Sequence, residues 1–150
     1  MKTQIKKIGI LVFASILLMS CTKEDKEILL VAAPTNEMPA KGKSFSADEV
    51  NNPIVFRWSS TLPKTQSATY RLKVWQLMQG QNGTQAMISN PPIVTKDVDN
   101  ITETLVQGIY TGPCKPPYMC DFVWTVQAID SKGTPIGINE GTSNATLFYF

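Results

Sequence analysis

The stretch Phe122-Val123-Trp124-Thr125-Val126-Gln127-Ala128-Ile129 decides the fold. In an extended chain successive side chains point to opposite faces, so Phe122, Trp124, Val126 and Ala128 share one side. β-Branched and aromatic residues dominate the stretch, and the turn-forming run Asp130-Ser131-Lys132-Gly133 closes it. It is a strand with an apolar face, and such a face has to be covered by a second layer.

Working outward, the period of two recurs on both sides. Ile54, Phe56 and Trp58 fall on one face, with Val55 and Arg57 on the other. Tyr70, Leu72 and Val74 alternate with Arg71, Lys73 and Trp75, and Ala145 to Phe150 reads as a closing strand. Glu103 to Val106 is a weaker strand, and Ile28 to Ala33, ended by Pro34, is a first one. Thr35 to Asn52 is rich in Pro, Gly, Lys, Ser and Asn, with an apolar break only around Phe45, and predicts an irregular edge segment. Gly80-Gln81-Asn82-Gly83 predicts a hairpin turn, because Asn and Gly accept positive φ. Thr84 to Ile88 would return from it and stop at Pro91-Pro92. No convincing run of helical spacing follows residue 20. The expectation is an all-β sandwich of about seven strands.

The first twenty residues stand apart. Lys2, Lys6 and Lys7 precede Ile8 to Met19, an unbroken run of apolar or small residues. At about 12 residues it is too short for a spanning helix, which needs about 20, and it reads as the core of a secretory signal. Leu18-Met19-Ser20-Cys21 resembles a lipobox, with an aliphatic residue three before the cysteine and a small one just before it. That order implies thiol alkylation by a diacylglyceryl group, then cleavage ahead of Cys21. Two or more acyl chains of the palmitate kind hold a protein stably on a membrane. Lys23-Glu24-Asp25 resembles the export signal that carries Bacteroidota-type lipoproteins to the outer face of the outer membrane. The expected organisation is a signal peptide at 1–20, a lipidated cysteine and polar tether at 21–27, and one domain at 28–150. Without the three signal lysines, eleven Lys and Arg face twelve Asp and Glu, a formal charge of −1. That leaves no basic footprint for nucleic acid.

Within 28–150 the motifs resemble those of fibronectin type III domains. Phe56-Arg57-Trp58 is similar to their second strand and Tyr70-Arg71-Leu72-Lys73-Val74 to their third. Phe122-x-Trp124-x-Val126-x-Ala128 is similar to their sixth, and Gly141-Thr142-Ser143-Asn144 leads into the last strand as in their seventh. The resemblance implies an immunoglobulin-like sandwich used for binding or spacing at the cell surface. One departure is Phe122, where the family carries a corner tyrosine whose hydroxyl bonds upstream backbone. The loop before it, Gly112 to Cys120, holds three prolines and both remaining cysteines. In an exported chain Cys114 and Cys120 favour a disulfide, which would stiffen that loop.

Histidine is absent, which removes His-based nucleophile pairs and the commonest metal ligand. Cys114 and Cys120 lack a second pair for zinc, and no glycine-rich phosphate loop is present. Asp97, Asp99 and Asn100 read as a solvated turn rather than a calcium loop. No enzyme, metal or cofactor is expected. Trp58 and Trp124 belong to the core, whereas Trp75 shares the face of Arg71 and Lys73 and is a candidate ligand contact, with Tyr118. The expected role is a structural or protein-binding module of the cell envelope. The alternative is a glycan-binding lipoprotein of a polysaccharide-uptake system, which a shallow platform of Trp75, Tyr110 or Tyr118 would favour.

Overall fold

A computed structural model describes residues 31–46, 48–49, 51–109 and 120–150. Their strands are β1 (Thr35–Met38), β2 (Lys43–Ser44), β3 (Ile54–Ser59), β4 (Thr69–Gln76), β5 (Val94–Asp99), β6 (Glu103–Val106), β7 (Asp121–Ile129) and β8 (Thr146–Tyr149). A helix, α1 (Gly83–Ser89), follows β4, and a 3₁₀ turn at Ile138–Gly141 precedes β8. The strands form two sheets in the orders β1-β3-β6 and β2-β8-β7-β4-β5. The chain is therefore an all-β sandwich with three strands over five, as the alternation requires.

The core lies between the inward faces named by that alternation. Phe122, Trp124, Val126 and Ala128 of β7 lie beside Tyr70, Leu72 and Val74 of β4 and Phe148 of β8. Ile54, Phe56 and Trp58 of β3 face them, and all of these side chains are buried. Phe56 meets Trp124 edge-on at 5.2 Å between ring centroids and Phe148 at 5.9 Å. Each such burial stabilises by roughly 1.5–3 kcal/mol, and edge-to-face rings add about 1 kcal/mol. Phe122, at the start of β7, stacks on Phe148 at 5.3 Å and is a core residue.

The two sides of the sandwich are managed differently. On one side the chain leaves the small sheet after β1, passes a cis Met38–Pro39 peptide, and pairs in parallel with β8 as β2. The Asn36 amide donates to the Asn144 carbonyl and the Thr146 hydroxyl, both at 3.0 Å, tying β1 to the larger sheet. Trp124 Nε1 donates to the Pro39 carbonyl at 3.3 Å. The other side is bounded by the edge strand β5. There Lys96 lies on the same side as Val94 and Val98, and its Nζ donates to the Leu105 carbonyl of β6 at 3.0 Å. An inward lysine on an edge strand discourages pairing with another chain.

Four expectations are corrected. Thr35–Met38, read as irregular, is a strand. Among the described residues it is the outer strand of the smaller sheet, and its contribution is backbone pairing to β3 rather than apolar burial. Val31 to Ala33, read within a first strand, carry no strand pairing, and residues 28–30 lie outside the described chain. Their carbonyls bond singly instead, Val31 accepting from the Ile138 N–H and Ala32 from the Thr61 hydroxyl. The expected hairpin at 80–88 is a helix. Asn82 is its N-cap, not a turn residue: its side chain accepts from the Gln85 N–H at 2.9 Å, while the Gln85 side chain accepts from the Asn82 N–H at 2.9 Å. This reciprocal capping satisfies two helix-end donors and outcompetes the Asn-Gly turn. Finally, Asp97 and Asp99 lie in strand β5 rather than a turn, with Asn100 taking positive φ just after it.

Candidate functional site

The outer face of the larger sheet carries the chemistry, and strand register assembles it. Arg71 of β4 stands between Asp97 of β5 and Gln127 of β7. Lys73 stands between Thr95 and Thr125, and Trp75 lies beside Val123, itself paired with Leu147. The face thus grades from charged to apolar along the strands.

At the charged end Arg71 makes a two-pronged bond to Asp97, Nε to one carboxylate oxygen and a terminal nitrogen to the other, both at 2.8 Å. Hydrogen bonding from Arg71 holds the Asp97 carboxyl below the usual carboxylate range, with the charges of Arg71 and Lys73 assisting. At the apolar end α1 lies across the sheet. Ala86 is fully buried against Trp75 and Val123, with Met87 and Leu147 packed around them. The helix can approach closely because Gly83 has no side chain: a Cβ there would stand 3.3 Å from a Val123 methyl carbon. Asn90, at the helix end, ties it to β4 by donating to the Gln76 carbonyl at 2.8 Å.

Trp75 therefore shares the face of Arg71 and Lys73, as expected, yet it is only 8% exposed. It is covered by α1, an element that the hairpin expectation left out, and leaves little of its ring open. Between Met87 of α1 and the Thr142–Ala145 segment lies a hollow of about 230 Å³, floored by Lys73, Thr125 and Gln127. Ser143 on its far wall accepts a hydrogen bond from the Val126 N–H at 2.9 Å, which locks that segment against β7. The segment can turn back so tightly because Gly141 has φ +66°, and a Cβ there would fall 2.6 Å from the Ala128 carbonyl oxygen. Sequence reasoning did not single out Lys73, Met87 or Thr125. The outward positions were visible, but only register and α1 bring them together.

The remaining expected site residues lie elsewhere. Cys21, Lys23, Glu24, Asp25, Cys114, Tyr110 and Tyr118 lie outside the described residues. Cys120 is buried and disulfide-bonded, its partner lying outside the described residues. Its backbone exchanges two hydrogen bonds with Phe150. Asp99 accepts from the Thr69 hydroxyl at 2.6 Å and the Asn100 side chain from the Ala68 N–H at 3.0 Å. Both side chains thus brace the turn after β5. Among the described residues no group of three His, Cys, Asp or Glu is placed to hold a metal ion. Among them, too, no helix is long and apolar enough to cross a membrane. A wider cleft of about 500 Å³ at the end where the described chain begins is lined by Ser60, Lys64, Tyr70 and Asn100. Its Tyr70 hydroxyl already donates to Ser60.

Compared with protein-family models, with curated proteins and with solved structures, the chain returns no match.

Proposed function

We propose that this chain is a non-enzymatic, lipid-anchored module of the cell envelope that displays the sandwich outward and binds or spaces a protein partner. The observation that carries the reading is the polarity of the domain. Val31 and Ala32 are held at one end, beside Thr61 and Ile138, while α1 sits toward the opposite end of β4 and β7. Ten residues from Cys21 to Val31 reach at most about 35 Å. A lipid on Cys21 would thus hold the 60–68 and 130–141 connections nearest the membrane and present α1 away from it. Around α1 the exposed large apolar residues are Met78, Ile88 and Ile93, with Ile88 80% exposed. Exposed apolar residues on and next to a helix suit a protein partner. A glycan platform would need an open aromatic face, and Trp75 does not supply one. Lys23, Glu24 and Asp25 would direct export to the cell surface, and a Cys114–Cys120 disulfide would close the loop ahead of β7.

Intact-mass analysis of the membrane-extracted chain tests the anchor. A mature N-terminus at Cys21 carrying acyl mass is expected, and Cys21→Ala should release the protein or leave it unprocessed. A different N-terminus, or no lipid mass, overturns the reading. Antibody staining of intact cells tests display, with loss of signal expected when Lys23, Glu24 and Asp25 are all changed to alanine. Thiol alkylation of the unreduced protein tests the pairing: modification of both Cys114 and Cys120 would refute it.

A further inference from the structure

The hollow on the outer sheet face holds two polar groups with no hydrogen-bond or ion-pair partner among the described residues. Thr125 is only 5% exposed, and its hydroxyl makes no hydrogen bond among the described residues. It is not sealed off either, so what access it retains opens into the hollow that Thr125 lines. A hydroxyl with access and no protein partner can both donate to and accept from a bound group. Beside it in register stands Lys73, whose ammonium makes no ion pair or hydrogen bond among the described residues. Arg71 is already neutralised by Asp97, so the local surplus is a single positive charge.

We infer that this hollow receives one acidic side chain of a protein partner, its carboxylate set on Lys73 and Thr125 and its methylenes against Met87 and Trp75. Charge complementarity fixes the class of group: one cation and one hydroxyl donor match one carboxylate. The surroundings fix its source. Among the described residues Trp75 is the only aromatic residue lining the hollow, and at 8% exposed it leaves little ring surface for a sugar to stack on. On the other side of Met87 the helix exposes Ile88, so an acidic residue flanked by apolar ones meets a matching surface. The site deepens the protein-binding reading above and rests on it. It is tested separately from the anchor, because neither acyl mass nor surface staining depends on Lys73.

The test titrates the isotope-labelled full mature chain, held in detergent micelles, with three probes: a capped Leu-Glu-Leu peptide, its Leu-Gln-Leu counterpart and glucuronate. Saturable amide shifts centred on Lys73, Met87 and Thr125 are expected with the Glu peptide. They should weaken at least tenfold with the Gln peptide, with Lys73→Met and with Thr125→Val. Both substitutions leave the inward faces untouched, and unchanged dispersion of the remaining resonances checks the fold. Shifts elsewhere, no shifts, or equal response to the Gln peptide overturns the inference. Tighter binding of glucuronate overturns it in favour of a sugar site.

Discussion

The two faces of β4 are made by one eight-residue strand, yet they follow different rules. Inward, Tyr70, Leu72 and Val74 are buried in a closed apolar core. Outward, Arg71, Lys73 and Trp75 pass within three positions from an exposed ion pair to a residue covered by a helix. The inner face is covered by a sheet, which needs apolar residues along its whole length. Among the described residues the outer face is covered by α1 at its Trp75 end and left more open toward Arg71. What lies uncovered there is not simply solvated surface but a hollow with a defined wall. The period of two thus sorts residues to faces, and the second layer decides what each face becomes.

Truncation at equivalent depth on each face separates the two regimes most strongly. Trp124→Ala should destabilise by about 4–5 kcal/mol, enough to unfold much of the population, because a two-sided core cannot collapse into the void. Trp75→Ala should cost about 3 kcal/mol, since α1 can settle toward the vacated space. Urea denaturation midpoints measure both, and equal losses would mean that the helix-covered patch belongs to the core. A smaller change tests what holds the helix. Asn82→Ala removes its capping box and should cost about 1 kcal/mol. Amide exchange should quicken at Ala86 and Asn90 but not at Leu72. Protection lost equally at all three would show that α1 and the sheet unfold as one unit.

The smallest effect lies at the charged end. Arg71→Met should let the Asp97 carboxyl rise toward its ordinary value, visible in a carboxyl-carbon titration, while stability near neutral pH falls by less than about 0.5 kcal/mol because the pair is solvent-screened. Asp97 is lowered in the folded chain, so its contribution is present above the ordinary carboxylate range and is lost as pH falls through the folded value. Wild type and variant should therefore converge in stability once the pH lies below the folded value of Asp97. A difference that persists there would assign the effect to the packing of the arginine stem.

Much of the sandwich was legible because its core strands alternate cleanly. Phe56 and Trp58, Leu72 and Val74, and Trp124 and Val126 all face inward where the pattern put them. Strand β5 was hidden by Lys96, which breaks its apolar side for the sake of a free edge. Strand β1 was hidden because a polar edge needs no apolar pattern. Helix α1 was hidden because Asn82-Gly83 serves a turn and a helix start equally well in sequence, and Gln85, three positions on, was the overlooked sign of the latter. The hollow depends on that helix and on cross-strand register between β4 and β7, which no single stretch encodes.

The attachment of β1 also bears on how the domain carries load. Val31 and Ala32 enter at the end where Thr35 pairs with Ser59, and β1 runs from there toward Pro39. A pull on residues ahead of Val31, resisted near α1, is directed along β1 rather than across it. Its ladder bonds to β3, and the Asn36 bonds to Asn144 and Thr146, are then loaded in parallel instead of one after another. The first contacts to yield would be the single bonds at Val31 and Ala32, releasing these residues before the sandwich itself is strained. Under such a pull the entry segment would act as a mechanical fuse placed ahead of a shear-resistant clamp.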